Sequence, residues 1–117
     1  MVGKTKTPTK AQRQRIEEVK SMGCIACWMG SGALVAAEYH HIVSGYRMGH
    51  DYGIPLCPWH HRGQPLSVDQ RPSECRELMG PSLALQKRAF VEEYGTELEL
   101  LSEVNQLLGV SDDHSGD

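Results

Sequence analysis

Apolar positions in this chain fall into short, interrupted groups, and each group suggests a short element. Thr9 stands where an N-cap belongs, ahead of a helix from about Lys10 to Met22 that places Ile16 and Val19 on one side and ends at Gly23. Cys24-Ile25-Ala26-Cys27 follows as a tight knuckle whose small middle residues let both thiols face one centre. The apolar run in residues 31–39 fits strand or helix equally. It leads into His40-His41-Ile42-Val43, whose β-branched end predicts a strand. Gly45, Gly49 and Gly53 mark a loop, and Ile54-Pro55-Leu56 is a short apolar segment before Cys57-Pro58-Trp59-His60-His61-Arg62-Gly63. Residues 63–73 look irregular, with Pro65 and Pro72. A short helix is expected from Glu74 to Met79, stopped by Gly80-Pro81. Ser82 can cap another from Leu83 to Tyr94, with Leu83, Phe90 and Tyr94 in its apolar stripe. Beyond Gly95, Thr96 caps a last helix to about Leu108, with Leu98, Leu101, Val104, Leu107 and Leu108 expected inward.

Length and composition change this picture in one respect. The 117 residues suffice for one domain, but a single Phe leaves the core poor in aromatics, so a further staple would help. Four Cys and six His, clustered along the chain, make a bound metal the natural staple. No stretch reaches the roughly 20 apolar residues of a membrane span. The polar, basic N-terminus lacks the apolar region of a secretory signal, so a cytoplasmic setting without membrane association is expected. In that setting clustered Cys point to metal before disulfides.

The net charge of −3 is not that of an obvious nucleic-acid binder, but its distribution is uneven. Lys4, Lys6, Lys10, Arg13, Arg15 and Lys20 crowd the first twenty residues, whereas residues 91–117 carry acids and no Lys or Arg. A phosphate-binding face built from the basic arm and the central arginines is compatible with this, because neutralising each phosphate releases condensed counterions. A Lys-rich terminus that is merely soluble fits the composition equally well.

Cys24 and Cys27 form a C-x2-C pair, and Cys57 and His60 a C-x2-H pair. Together they supply the four ligands of a closed tetrahedral zinc site. The alternatives are a redox-active C-x2-C, which lacks a surrounding βαβ pattern here, and Cys75 as fourth ligand in place of His60. If His60 closes the zinc site, its neighbour His61 is aimed elsewhere. Adjacent His40 and His41, on a strand, likewise face opposite sides and can serve different roles. Three further imidazoles suit phosphodiester hydrolysis, which needs a divalent ion on the phosphate and a neutral base for water.

Glu38-Tyr39-His40-His41-Ile42-Val43, the glycine-bearing loop and Ile54-Pro55-Leu56-Cys57-Pro58-Trp59-His60-His61-Arg62-Gly63 together resemble the HNH (ββα-metal) endonuclease motif. More narrowly, with Cys24–Cys27, Gly49-His50, residues 80–90 and residues 94–101 added, the chain resembles the phage Ref-like RecA-dependent nuclease family over roughly residues 22–105. The resemblance implies an α+β fold: a small zinc-stabilised ββα-metal core, treble-clef-like, with flanking helices. On this reading residues 1–10 are a flexible basic tail, 11–108 a single nuclease domain and 109–117 a disordered acidic tail.

The resemblance also implies the roles. His41 is the general base, and His40 and His61 hold the catalytic ion, Mg2+ or another divalent metal, while Zn2+ is structural. The Asn of the family motif is missing from the window His50-Asp51-Tyr52-Gly53, where Asp51 and His50 are both chemically able to take its place, as ligand or as the group that orients the base. Arg47 and Arg62, with Lys4, Lys6 and Lys10, are the expected contacts to DNA, and a RecA filament is the implied partner. A non-catalytic zinc-stabilised module binding DNA or protein is the competing reading, and it leaves the three extra histidines without a use.

Overall fold

The structure is a computed structural model and describes residues 7–43 and 48–109. Lys4, Lys6, Arg47 and the acidic tail beyond Gly109 fall outside the described residues. In chain order the elements are α1 (Lys10–Ser21), α2 (Ile25–Ser31), β1 (Glu38–His41), β2 (Gly53–Leu56), α3 (Pro58–Arg62), α4 (Pro72–Met79), α5 (Lys87–Tyr94) and α6 (Glu97–Leu108).

The two strands form one antiparallel hairpin, with Glu38 opposite Leu56, Tyr39 opposite Pro55, His40 opposite Ile54 and His41 opposite Gly53. All four residues of β2 are buried, and α1 and α6 both pack against this strand. The short α3 follows β2 after Cys57 alone and contacts both strands. Hairpin and helix thus form a β-β-α unit, with Trp59 buried at its centre and its indole N–H donating to the Gly80 carbonyl at 2.8 Å. Val19, Ile42, Ile54, Leu56, Phe90, Leu100 and Val104 are among the other fully buried members of the core.

Capping explains several boundaries. Thr9 and Gln12 form a reciprocal capping box at the start of α1, and Thr96 and Glu99 form another at α6. At α2 and α3 the caps are cysteines: the Cys24 and Cys57 sulfurs accept from the backbone N–H of Cys27 and His60. Each knuckle is therefore a helix N-terminus. That is why the C-x2-C and C-x2-H spacings turn both ligands of a pair the same way.

Four expectations need correction. The run after the first knuckle is neither strand nor helix throughout: Ile25–Ser31 is helical, and the strand starts only at Glu38. That strand ends at His41, although Ile42 N–H still donates to the Tyr52 carbonyl at 2.9 Å. The helix expected from Leu83 begins at Lys87. Ser82 caps only a turn there, its hydroxyl accepting from Leu85 N–H while Gln86 Oε1 accepts from Ser82 N–H. In α6 the buried stripe is Leu100, Leu101, Val104 and Asn105, while Leu98 and Leu107 are about half exposed.

Candidate metal centre and histidine site

Cys24, Cys27, Cys57 and His60 bring one ligand atom each to within 4.8 Å of one another, all four residues being buried. His60 Nδ1 lies 3.4, 3.5 and 3.3 Å from the sulfurs of Cys24, Cys27 and Cys57, and Cys27 and Cys57 are 3.8 Å apart at sulfur. Metal–ligand bonds of about 2.0–2.3 Å in a tetrahedron give edges of roughly 3.3–3.8 Å, so the donor set has the size zinc requires. The far side of the imidazole is fixed too. His60 Nε2 donates to the Met79 carbonyl at 2.8 Å, which leaves Nδ1 as the lone pair facing the thiols. Tyr94 adds a second hydrogen bond to the same carbonyl, from its hydroxyl at 2.9 Å.

Crowding of three thiols makes their protons unequal. Hydrogen bonds from Cys27 and Cys57 push the Cys24 thiol well below its ordinary value, and the Cys27 thiol is pushed up as it donates in return. A cation would relieve this competition by letting all three ionise. Cys75 lies outside the group: it is buried on α4 and its thiol donates to Gln70 at 3.4 Å.

The other described histidines, His40, His41, His50 and His61, gather around the hairpin and α3. Residues two apart on β1 share a face, so Glu38 and His40 lie on one side and Tyr39 and His41 on the other. On the first side, His61 from α3 meets His40 ring to ring, with centroids 4.9 Å apart. Each imidazole has its own carboxylate. His40 Nε2 is 2.6 Å from Glu97 Oε2, and His61 Nδ1 is 2.8 Å from Glu38 Oε1. Burial pushes His40 below the ordinary histidine value against the opposing pull of Glu97, so it favours the neutral, ligand-competent form. Glu38 is held below the usual carboxylate range, chiefly by its hydrogen bonds from Arg62, with His61 adding to the effect.

On the second side, His41 Nε2 lies 3.1 Å from His50 Nδ1, and the Tyr39 ring meets the His41 ring edge-on at 5.1 Å. The Tyr39 hydroxyl donates to the His50 carbonyl at 2.7 Å and so ties down the loop that carries His50. Gly53 is what allows this: a Cβ there would collide with the Tyr39 ring.

A family model described as recombination enhancement, RecA-dependent nuclease, matches residues 8–109. The chain belongs to this family. The family description suggests a nuclease role connected with recombination. The Cys3His group could hold a metal ion and is compatible with zinc, and no helix among the described residues is long and apolar enough to cross a membrane.

The structure thus distributes the residues singled out in the sequence between two places. His60 joins the three cysteines, whereas His40, His41, His50 and His61 lie around the hairpin. Asp51 goes to neither, since its carboxylate accepts from Gln12 of α1 at 3.0 Å. Arg62 lies beside His61 and makes a two-pronged contact with Glu38, through Nε at 2.9 Å and Nη2 at 2.7 Å. Lys10 is exposed at the start of α1. Three members of the histidine site, Glu38, Tyr39 and Glu97, had no role assigned from the sequence, Glu38 standing only within the motif two residues before His40 on the same face. Tyr39 had a weak signal, its period-two spacing from His41. Glu97 had none, standing 57 residues from His40 among many acids.

Among the described residues no second group of three Cys, His, Asp or Glu side chains draws its ligand atoms together as tightly as the Cys3His set.

Proposed function

We propose that this chain is a metal-dependent endonuclease of the HNH (ββα-metal) class that hydrolyses DNA phosphodiester bonds at recombination intermediates carrying a RecA filament. The observation that carries the reading is the paired arrangement on one hairpin: His40 against His61 on one side, and His41 against His50 on the other. His40 and His61 would hold a divalent ion, Mg2+ in the cell. When bound, such an ion stabilises charge developing on the phosphate and the leaving oxygen.

The remaining roles belong to the chain itself. His41 takes the proton from the attacking water. Its ring is steadied by His50 and by the Tyr39 edge, so the base points one way before substrate arrives. His50 fills the place left by the missing Asn better than Asp51 does, because Asp51 is engaged with Gln12 while His50 touches the base. Arg62 would meet a DNA phosphate beside His61, exchanging part of its contact with Glu38 for the phosphate oxygens. Arg47, Lys4, Lys6 and Lys10 would extend that contact along the backbone.

The test is cleavage of plasmid DNA, or of a RecA-coated strand invading a duplex, with and without ATP, Mg2+ or chelator. Cleavage that needs Mg2+ and the filament is the expected result. Equal cutting with and without RecA would remove the filament from the reading. Binding without cleavage under every condition would favour a zinc-stabilised binding module instead.

A further inference from the structure

We propose that Glu97 is a positioning residue for the ion site, holding the His40 imidazole through Nε2 and turning Nδ1 to the ion, as Glu38 holds His61 through Nδ1 and leaves Nε2. This inference rests on the reading of His40 and His61 as ion ligands.

A carboxylate can only accept, so at 2.6 Å the proton on His40 Nε2 must lie between that nitrogen and Glu97. A neutral imidazole bonded in this way has its lone pair on the other nitrogen. The same logic applies to His61 and Glu38 at 2.8 Å. Two imidazoles that touch at 4.9 Å are thus each oriented by a separate acid. Metal-ligating histidines are commonly held in just such pairs, the carboxylate fixing the tautomer and raising the basicity of the ligating nitrogen.

Two features set Glu97 apart from the other acids of the C-terminal region. Its side chain is only 14% exposed, against 16% for His40, so the carboxylate has given up most of its water for this one partner. It also occupies the first position of α6, whose start is fixed by the Thr96–Glu99 capping box, so the carboxylate is delivered by a defined backbone.

The experiment is a titration of the zinc-loaded protein with Mn2+, following free Mn2+ by electron paramagnetic resonance, with zinc content and thermal midpoint measured alongside. Wild type, Glu97→Gln, Glu38→Gln and His40→Ala are compared, with Glu97→Asp as a milder second variant of the same position. The expected result is one Mn2+ site in wild type, weakened about ten- to a hundred-fold in Glu97→Gln and Glu38→Gln with zinc unchanged. Glu97→Asp, which keeps the charge, should recover part of that loss.

Wild-type affinity in Glu97→Gln would overturn the proposal. So would loss as complete as in His40→Ala, which would make Glu97 a ligand itself. Loss of zinc in both Glu97 variants would assign the residue a merely structural role and overturn it equally. Absence of any Mn2+ site in wild type would overturn the ion-binding reading, and this inference with it. A site left intact by both glutamine variants would overturn this inference alone.

Discussion

Tyr39 touches the proposed base in two ways, through its ring edge on His41 and through its hydroxyl on the carbonyl of His50. Removing the hydroxyl leaves the ring in place but frees the His50 loop. One net hydrogen bond is worth about 1 kcal/mol, so Tyr39→Phe should lower kcat/KM for DNA cleavage about five-fold if the whole bond serves to orient the base. Gly53→Ala should cost more, because the added methyl displaces the Tyr39 ring and with it both contacts. Both are checked by steady-state cleavage with the zinc content of each variant confirmed. Unchanged cleavage in Gly53→Ala would mean that the Tyr39 face has no part in catalysis. The paired histidines were legible in the sequence because strand alternation separates neighbours by simple geometry. Glu97 was not, since it reaches His40 only through the fold, and of the two candidates His50 and Asp51 only the fold shows which one meets His41.

Elements that were legible are those with strong end signals. α1 and α6 begin at the Thr9 and Thr96 caps read from sequence, and both carry the full reciprocal box. α2 was missed because its N-cap is a thiol and its seven residues are too few to show a period. β2 contains Pro55, which argues against a strand, yet a two-stranded hairpin leaves every strand with an edge where Pro is tolerated. The buried stripe of α6 was misread because Asn105 occupies one of its positions and polarity disguised it.

α6 also supports a prediction, since its capping box sits next to Glu97. Thr96→Ala should destabilise the protein by about 1 kcal/mol in denaturant unfolding and loosen the His40 contact as well. The partner Glu99 is held below its ordinary value of 4.5, chiefly by the hydrogen bond from Thr96 backbone N–H. A depressed carboxylate contributes stability above its unfolded value and loses it as pH falls through the folded one. The capping contribution should therefore fade below about pH 4.5, and wild type and Glu99→Gln should converge in stability there. A constant gap down to pH 3 would contradict the assignment.

At the scale of the described molecule, a Cys3His group that could hold a metal ion joins several elements, while the histidines around the hairpin lie apart from it. Cys24, Cys27, Cys57 and His60 draw together α2, the end of β2 and α3, and Met79 and Tyr94 link that centre to α4 and α5. Because the four ligands come from separate elements, zinc binding should carry much of the folding free energy. Cys57→Ser, or zinc removal by a strong chelator, should abolish cooperative unfolding, as followed by circular dichroism. A cooperative transition at the wild-type midpoint after zinc removal would contradict this. The variant that separates the two centres is His41→Ala, because His41 belongs to the hairpin site and is not a member of the Cys3His group. The decisive measurement is its rate of DNA cleavage on protein shown to hold one zinc per chain. A loss of about a hundred- to ten-thousand-fold with the fold intact is the predicted result. Cleavage at the wild-type rate would contradict the account.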